Sequence, residues 1–383
     1  ADRRRSLARR AAREGRAERA YLLASRHYLT PAAGYAYADL EWIAGWVALR
    51  KLGEPARAIG HFERFRATVE TPISLGRAGY WLGLAHAAAG DAQAARRAHG
   101  AAALHQTSFY GQLAAEEIGA PADPALAVRD MPDWRRTPGL GRDDVRMALM
   151  MHFAGERGLA WQAFVHLGRT LEGVAPVAAL GGLLVELGEP HIAVRVSKMA
   201  ARRGIVVPPA YYPLHRLAEA ATAVEPALAM AIARQETELN PRAISQAGAR
   251  GLMQLMPGTA RKVAGWLGEP YDRRRLVEDW RYNLRLGETY LARRIREYSG
   301  SYVLAAAAYN AGAHRVDRWV RRYGDPRRAD VDMIDWMESI PFRETRNYVQ
   351  RVMEGLHVYR ARLSGRAEGL QIRADLARGS RGP

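Results

Sequence analysis

One glutamate stands out by where it falls in the chain. The stretch from Glu225 to Leu239 reads as a helix that opens with Pro226 and is stopped by Asn240-Pro241. Ala229, Ile232 and Ala233 form its apolar stripe, and Glu236 continues that stripe three residues beyond Ala233. An ionised carboxylate is costly to bury. Burial therefore favours the protonated form and raises the pKa, which is what a general acid working near neutral pH requires. The competing reading of Glu236 is a half-buried structural carboxylate bonded to an arginine. Glu238 points to another face and reads as a solvated residue.

Two further segments carry polar groups in suggestive places. In the run Ser245 to Ala260, Gly248 and Gly251 permit a tight loop with close backbone approach. Pro257 then starts a helix that passes through Val263 and Trp266 and stops at Gly268. Gln254, inside the loop, is suited to reading sugar hydroxyls or an acetamide, or equally to capping the loop itself. Farther on, Ala306-Ala307-Ala308-Tyr309-Asn310-Ala311-Gly312 closes a very apolar helix. The Tyr309 hydroxyl at its buried end needs a partner, which a backbone group would also satisfy.

The elements that must hold these groups are helical. Ala and Arg dominate the 383 residues and β-branched runs are scarce, which favours helix over sheet. From Tyr21 to Arg203 the pattern is one of helical hairpins. Leu52-Gly53-Glu54-Pro55 separates two helices, Leu187-Gly188-Glu189-Pro190 repeats the phrase, and Ala89-Gly90-Asp91 is a looser copy. Glycine as the stop and proline in the next first turn are ordinary helix punctuation. Degenerate hairpins of this tetratricopeptide kind stack into a curved solenoid, here expected to be an open arc. The arginine-rich start, Asp2 to Ala20, reads as a helix because Leu7 and Ala11 lie at i and i+4. The segment 120–144, with Pro121, Pro124, Pro132 and Pro138, reads as a long connection. A second break lies at Val207-Pro208-Pro209. These breaks divide the chain into a helical repeat domain, 1–206, an α-rich domain, 207–364, and a polar, loosely ordered tail, 365–383.

Composition removes several classes of chemistry. There are no cysteines, hence no disulfides, thiolate metal sites or cysteine nucleophiles. No His or Asp cluster has metal-ligand spacing, and neither metal nor cofactor is expected. No apolar run is long enough to cross a membrane, and no signal peptide is visible at Ala1. The net charge of +17 favours polyanions. Nucleic acid is not the expected one, because no groove-reading motif, zinc finger or ribonucleoprotein signature is present.

Taken in order, Ala233-Arg234-Gln235-Glu236-Thr237, Gly251-Leu252-Met253-Gln254, Ala308-Tyr309-Asn310-Ala311-Gly312 and Glu338-Ser339-Ile340-Pro341-Phe342-Arg343-Glu344-Thr345-Arg346-Asn347-Tyr348 resemble the motifs of the soluble lytic transglycosylases. The resemblance is close from Tyr211 to Arg360, and the upstream hairpins are similar in style to the superhelix of that family. It implies an all-α chain: an N-terminal superhelix followed by a lysozyme-like catalytic domain related to goose-type lysozyme. It implies that Glu236 is the sole catalytic carboxylate, with Ser245, Gln254, Tyr309 and Asn310 as substrate-binding residues. Met253 and Met256 would line the groove, and Glu338 would be a second acidic residue at the cleft. The implied reaction is cleavage of the bond between N-acetylmuramic acid and N-acetylglucosamine in peptidoglycan, leaving 1,6-anhydro ends. The setting would be a periplasmic monomer with peripheral contact to the cell envelope. Thr237 stands where the family has serine, and Leu239 where an aromatic is common. A hydrolytic muramidase on the same fold would need a second carboxylate to activate water, Glu338 or Asp279. A peptidoglycan-binding scaffold without activity is the remaining alternative.

Overall fold

A computed structural model describes residues 1–380; positions 381–383, the end of the expected tail, lie outside the described residues. The chain is all-α. Among the described residues the only β pairing is two isolated bridges, Ile244 with Arg250 and Arg250 with Leu255. No described helix is long and apolar enough to cross a membrane.

The predicted hairpin punctuation is where the helices break. Gly53 and Gly188 both adopt left-handed backbone, with φ of 70° and 73°. The helices Pro55–Arg66 and Pro190–Ala201 then begin on their prolines. At the looser copy, Gly90 has φ of 84° and the Asp91 carboxylate accepts from the Ala94 amide at 2.8 Å, capping Ala92–Ala103. The arginine-rich start is the helix Asp2–Arg13. Residues 120–144 are irregular apart from a short turn at Pro124–Leu126 and the start of the helix Asp143–Phe153.

The chain folds as two compact units that do not follow the expected division at 206/207. The first comprises residues 1–122, 298–350 and those from Gly369 onward. Its core is aromatic: Trp42 and Trp46 stack at 6.0 Å, and Trp81, Phe62, Tyr80 and Tyr110 surround them, all buried. Gly45 lets the Phe62 ring lie directly against the Tyr35–Val47 helix. The second unit comprises 123–297 and 351–368. In its hairpin portion Val145, Phe164, Leu167, Leu180, Leu183 and Val196 form one aliphatic core.

The tail departs from expectation. Residues 372–376 form a helix whose Ile372 and Leu376 are buried within the first unit. The Arg373 amide donates to Glu116 at 2.9 Å, and its guanidinium pairs with Glu117. Five residues are too few for a periodic signal, so a polar composition concealed two anchoring aliphatics.

Candidate active site

The helix that carries Glu236 runs Pro226–Thr237, starting one residue later and ending two residues earlier than its sequence pattern. Leu228, Ala229, Ile232 and Ala233 are buried, as the stripe required, and Glu236 is half-buried in the last turn. The helix is held at its base by Arg234. That guanidinium lies 3.8 Å from the Tyr212 ring centre, and its Nε donates to the Tyr211 carbonyl at 2.9 Å. The Val207–Pro213 break is thereby folded back onto the helix Pro226–Thr237.

Beyond Thr237 the backbone does something unusual. Glu238 and Leu239 both have positive φ, 56° and 72°, and so does Gln254 at 49°. Left-handed backbone costs a non-glycine residue about 1 kcal/mol or more. Such residues persist only where their surroundings over-determine them, and they gather at functional sites. The surroundings here are specific. Leu239 is wholly buried, and the Thr237 hydroxyl faces the carbonyls of Ala233 at 3.1 Å and Leu252 at 2.9 Å. The hydroxyl at position 237 thus ties the end of the helix to the glycine loop. Glu238 is not the solvated residue its spacing suggested: its carboxylate lies 2.7 Å from Lys198 Nζ and 3.1 Å from Arg195 Nε.

The loop 243–256 is fastened by its own polar groups. The Ser245 hydroxyl accepts from the Ala249 amide at 3.0 Å. The Gln254 side-chain amide donates to the carbonyls of Ala243 and Gly251, at 3.2 and 2.9 Å, so its nitrogen serves the loop. Met253 is not on a groove surface; it is completely buried and packs against Gly287, where any side chain would collide with it. Met256, by contrast, is exposed. The keystone is Asn283, which is not among the expected site residues. Buried in the helix Trp280–Glu297, it accepts from the Met253 amide at 2.8 Å and donates to the carbonyls of Arg250 and Leu276 at 2.9 and 3.0 Å. An asparagine among the buried leucines of a helix was the available signal. Gly251, with φ of 72°, is pressed against the same Asn283 amide and the Leu276 carbonyl. Asp279 caps this helix, accepting from the Tyr282 amide at 3.1 Å, and pairs with Arg275 at 2.8 Å.

Glu236, Ser245, Met253, Gln254 and Met256 belong to the second unit; Tyr309, Asn310 and Glu338 belong to the first. Tyr309 is half-buried at the end of the helix Tyr302–Ala311. The Asn310 side chain accepts from the Thr345 hydroxyl at 2.7 Å and so ties two helices together. Glu338, expected at a cleft, has no exposed side-chain surface. Its Oε1 accepts from Tyr110 at 2.5 Å, Arg77 at 2.8 Å and Gln350 at 2.9 Å. Its Oε2 faces Arg9 at 3.4 Å and Arg346 at 3.7 Å. Burial raises its pKa, but Arg77, Arg9 and Arg346 more than offset this and hold it at about 2. Glu338 is therefore a permanent anion inside a cationic cluster, and a proton donor it is not. The same cluster shows that Arg9, from the arginine-rich start, is an interior residue.

Comparison with known proteins shows what these features are similar to. Residues 213–331 match the transglycosylase SLT domain. The chain is similar to a putative soluble lytic murein transglycosylase of Haemophilus influenzae, 45% identical over 125 residues, which is 33% of this chain and 20% of that protein. It is also similar to the soluble lytic murein transglycosylase of Escherichia coli, 37% identical over 147 residues, 38% of this chain and 22% of that protein. The chain thus spans about a fifth of the length of these relatives. Among solved structures, an inactive mutant of the lytic transglycosylase Slt from Pseudomonas aeruginosa matches 96% of this chain and 58% of its own length, with a TM-score of 0.71 and 26% identity. The soluble lytic transglycosylase of Escherichia coli, at 22% identity, shares the fold with a TM-score of 0.64 over 97% of this chain and 64% of its own. Residues 213–331 of this chain thus match the transglycosylase SLT domain, and the all-α frame around them is similar to that of solved lytic transglycosylases.

Proposed function

We propose that this protein is a periplasmic enzyme that cleaves the β-1,4 bond between N-acetylmuramic acid and N-acetylglucosamine in peptidoglycan strands, with Glu236 as both acid and base. The observation that carries the reading is the place of Glu236, inside the matched SLT domain and in the last turn of its helix. Glu236 is half-buried on the last turn of a helix whose end is fixed to a glycine loop. Glu338 is sealed in an arginine cluster, Asp279 caps a helix and pairs with Arg275, and Glu238 is paired with Lys198. Two-carboxylate hydrolysis needs a second group free to activate water. Glu338 and Asp279 are both committed elsewhere, which favours the transglycosylase over the muramidase.

The chemistry then needs one carboxyl group. Protonated Glu236 gives its proton to the glycosidic oxygen as the C1–O bond breaks. The positive charge at the muramoyl C1 is stabilised by that sugar's own acetamide carbonyl. Glu236, now ionised, takes the proton from the C6 hydroxyl as O6 bonds to C1. The products are a new sugar end and a 1,6-anhydro ring; water is not consumed and Glu236 regains its proton. General acid–base transfer of this kind supplies roughly a hundred- to ten-thousandfold in rate. Ser245, Gln254, Met256, Tyr309 and Asn310 are proposed to contact the sugars.

The test is mass spectrometry of muropeptides released from purified peptidoglycan. Anhydro ends resistant to borohydride are expected. Glu236→Gln should abolish their release while glycan binding remains measurable. Reducible ends would make the protein a muramidase, and more than a few per cent residual activity in the variant would remove Glu236 from the acid's role.

A further inference from the structure

We propose that Glu238 is a positioning residue for Glu236, acting through a clamp from the helix Pro190–Ala201. This rests on the reading of Glu236 as the acid. His191, Arg195 and Lys198 stand at i, i+4 and i+7 on that helix, a single stripe. Lys198 Nζ donates to one carboxylate oxygen of Glu238 at 2.7 Å, and Arg195 Nε lies 3.1 Å from the other. His191 also feels the charge: burial lowers its pKa, and Glu189 and Glu238 oppose that. The Glu238 side chain is only 17% exposed, so the pair is shielded from much of the solvent.

The gripped residue is the first of two consecutive left-handed positions, and it stands two residues after Glu236. The Glu238 amide donates to the Arg234 carbonyl at 2.9 Å and the Leu239 amide faces the Ala233 carbonyl at 3.3 Å, so the turn is built directly on the last helical residues. An L residue in such backbone drifts towards ordinary helix or extended angles unless it is held. Any such drift rotates the last turn, and Glu236 with it. Acid catalysis depends on sub-ångström placement of the donor, and a misplacement of about 1 Å costs as much as a hundredfold in rate. The repeat helix thus sets the aim of the acid through a salt bridge spanning forty residues of sequence.

The test uses the full chain with Glu238→Gln, Glu238→Gly, Lys198→Met and the charge-swapped pair Glu238→Lys with Lys198→Glu. We expect Glu238→Gln and Lys198→Met to lower kcat about tenfold or more with KM changed less than twofold. Glu238→Gly removes the steric cost of φ 56° and should keep or raise Tm, yet lose kcat as Glu238→Gln does. The swapped pair should recover part of the loss, which a merely structural role would not predict. Wild-type kcat in both Glu238→Gln and Glu238→Gly overturns the proposal. A second readout does not depend on the reaction: amide exchange at Glu238 and Leu239 should quicken in Glu238→Gln. If the wild-type protein releases no anhydro product, the functional reading fails, and unchanged exchange at these amides then overturns the clamp separately.

Discussion

A carboxylate's chemistry is decided by what surrounds it, and four acidic side chains here illustrate the point. The half-buried position of Glu236 was legible because its local spacing continues a buried stripe. Glu338 and Glu238 were misread because their partners are remote: Arg9 lies 329 residues away from Glu338, and Lys198 forty from Glu238. Ion pairs between distant segments leave no trace in local periodicity. Asp279, the fourth, was read only as an acid that could activate water, and its place as the cap of the Trp280–Glu297 helix depends on the folded backbone. Glu338 also makes a pH prediction. Its folded pKa of about 2 lies below the ordinary 4.5, so its contribution to stability is complete above about pH 4.5 and is lost as the pH falls towards 2. The shift corresponds to roughly 3 kcal/mol. Denaturant unfolding of the wild type should show stability falling between pH 5 and pH 3, and Glu338→Gln should be less stable at pH 7 and fall less steeply with acid. Glu41, also held at about 2, where burial is outweighed by bonds from His61, Arg64 and His27, leaves some acid sensitivity in the variant. Parallel slopes in the two proteins would mean that the cluster does not stabilise through charge.

At the scale of elements, helix stops and starts were the most readable feature. Glycine and proline act on the backbone where they stand, so Gly53-Glu54-Pro55, Gly188-Glu189-Pro190 and Gly268 mark boundaries without help from tertiary contacts. The end of the Pro226–Thr237 helix was less readable, because Glu238 and Leu239 are held left-handed by burial and a salt bridge rather than by their own preference. The loop 243–256 lay between these extremes. Gly248 and Gly251 announced a tight turn, but its dependence on Asn283 could be seen only once the Trp280–Glu297 helix was in place. That dependence is testable at Gly251. A methyl group there meets the Leu276 carbonyl and the Asn283 amide on a backbone that already disfavours side chains. Gly251→Ala should cost more than about 2 kcal/mol of stability, from left-handed strain of about 1–2 kcal/mol plus a collision with rigid backbone. It should also lower kcat, because Thr237 reaches the Leu252 carbonyl in the same loop. A melting curve matching the wild type would show that the loop does not need glycine.

The whole chain divides differently from its sequence segments. Composition shifts suggested a boundary at 206/207, whereas the compact units mix early, middle and late residues. A boundary drawn from prolines reports where the backbone turns, not where side chains find partners. The tail shows the consequence most simply. Ile372 and Leu376 bury themselves in the first unit, and burial of two such side chains is worth roughly 3–5 kcal/mol. Deleting the residues from Gly369 onward should lower the denaturation midpoint of the first unit by that amount of free energy and leave the second unit's transition in place; an unshifted midpoint would mean the tail only lies on the surface. The three-part origin of the first unit also sets an order of events during synthesis. Ribosomes add about 5–20 residues per second, so Arg9 and Arg77 emerge well before the carboxylate of Glu338 that neutralises them. All of residues 123–297 are translated in between. The nascent first unit therefore stays open, its interior cations still hydrated, until residue 338 has emerged. A chain interrupted before position 338 keeps those guanidiniums without their anion, cannot close its aromatic core around them, and is left as an open substrate for proteases.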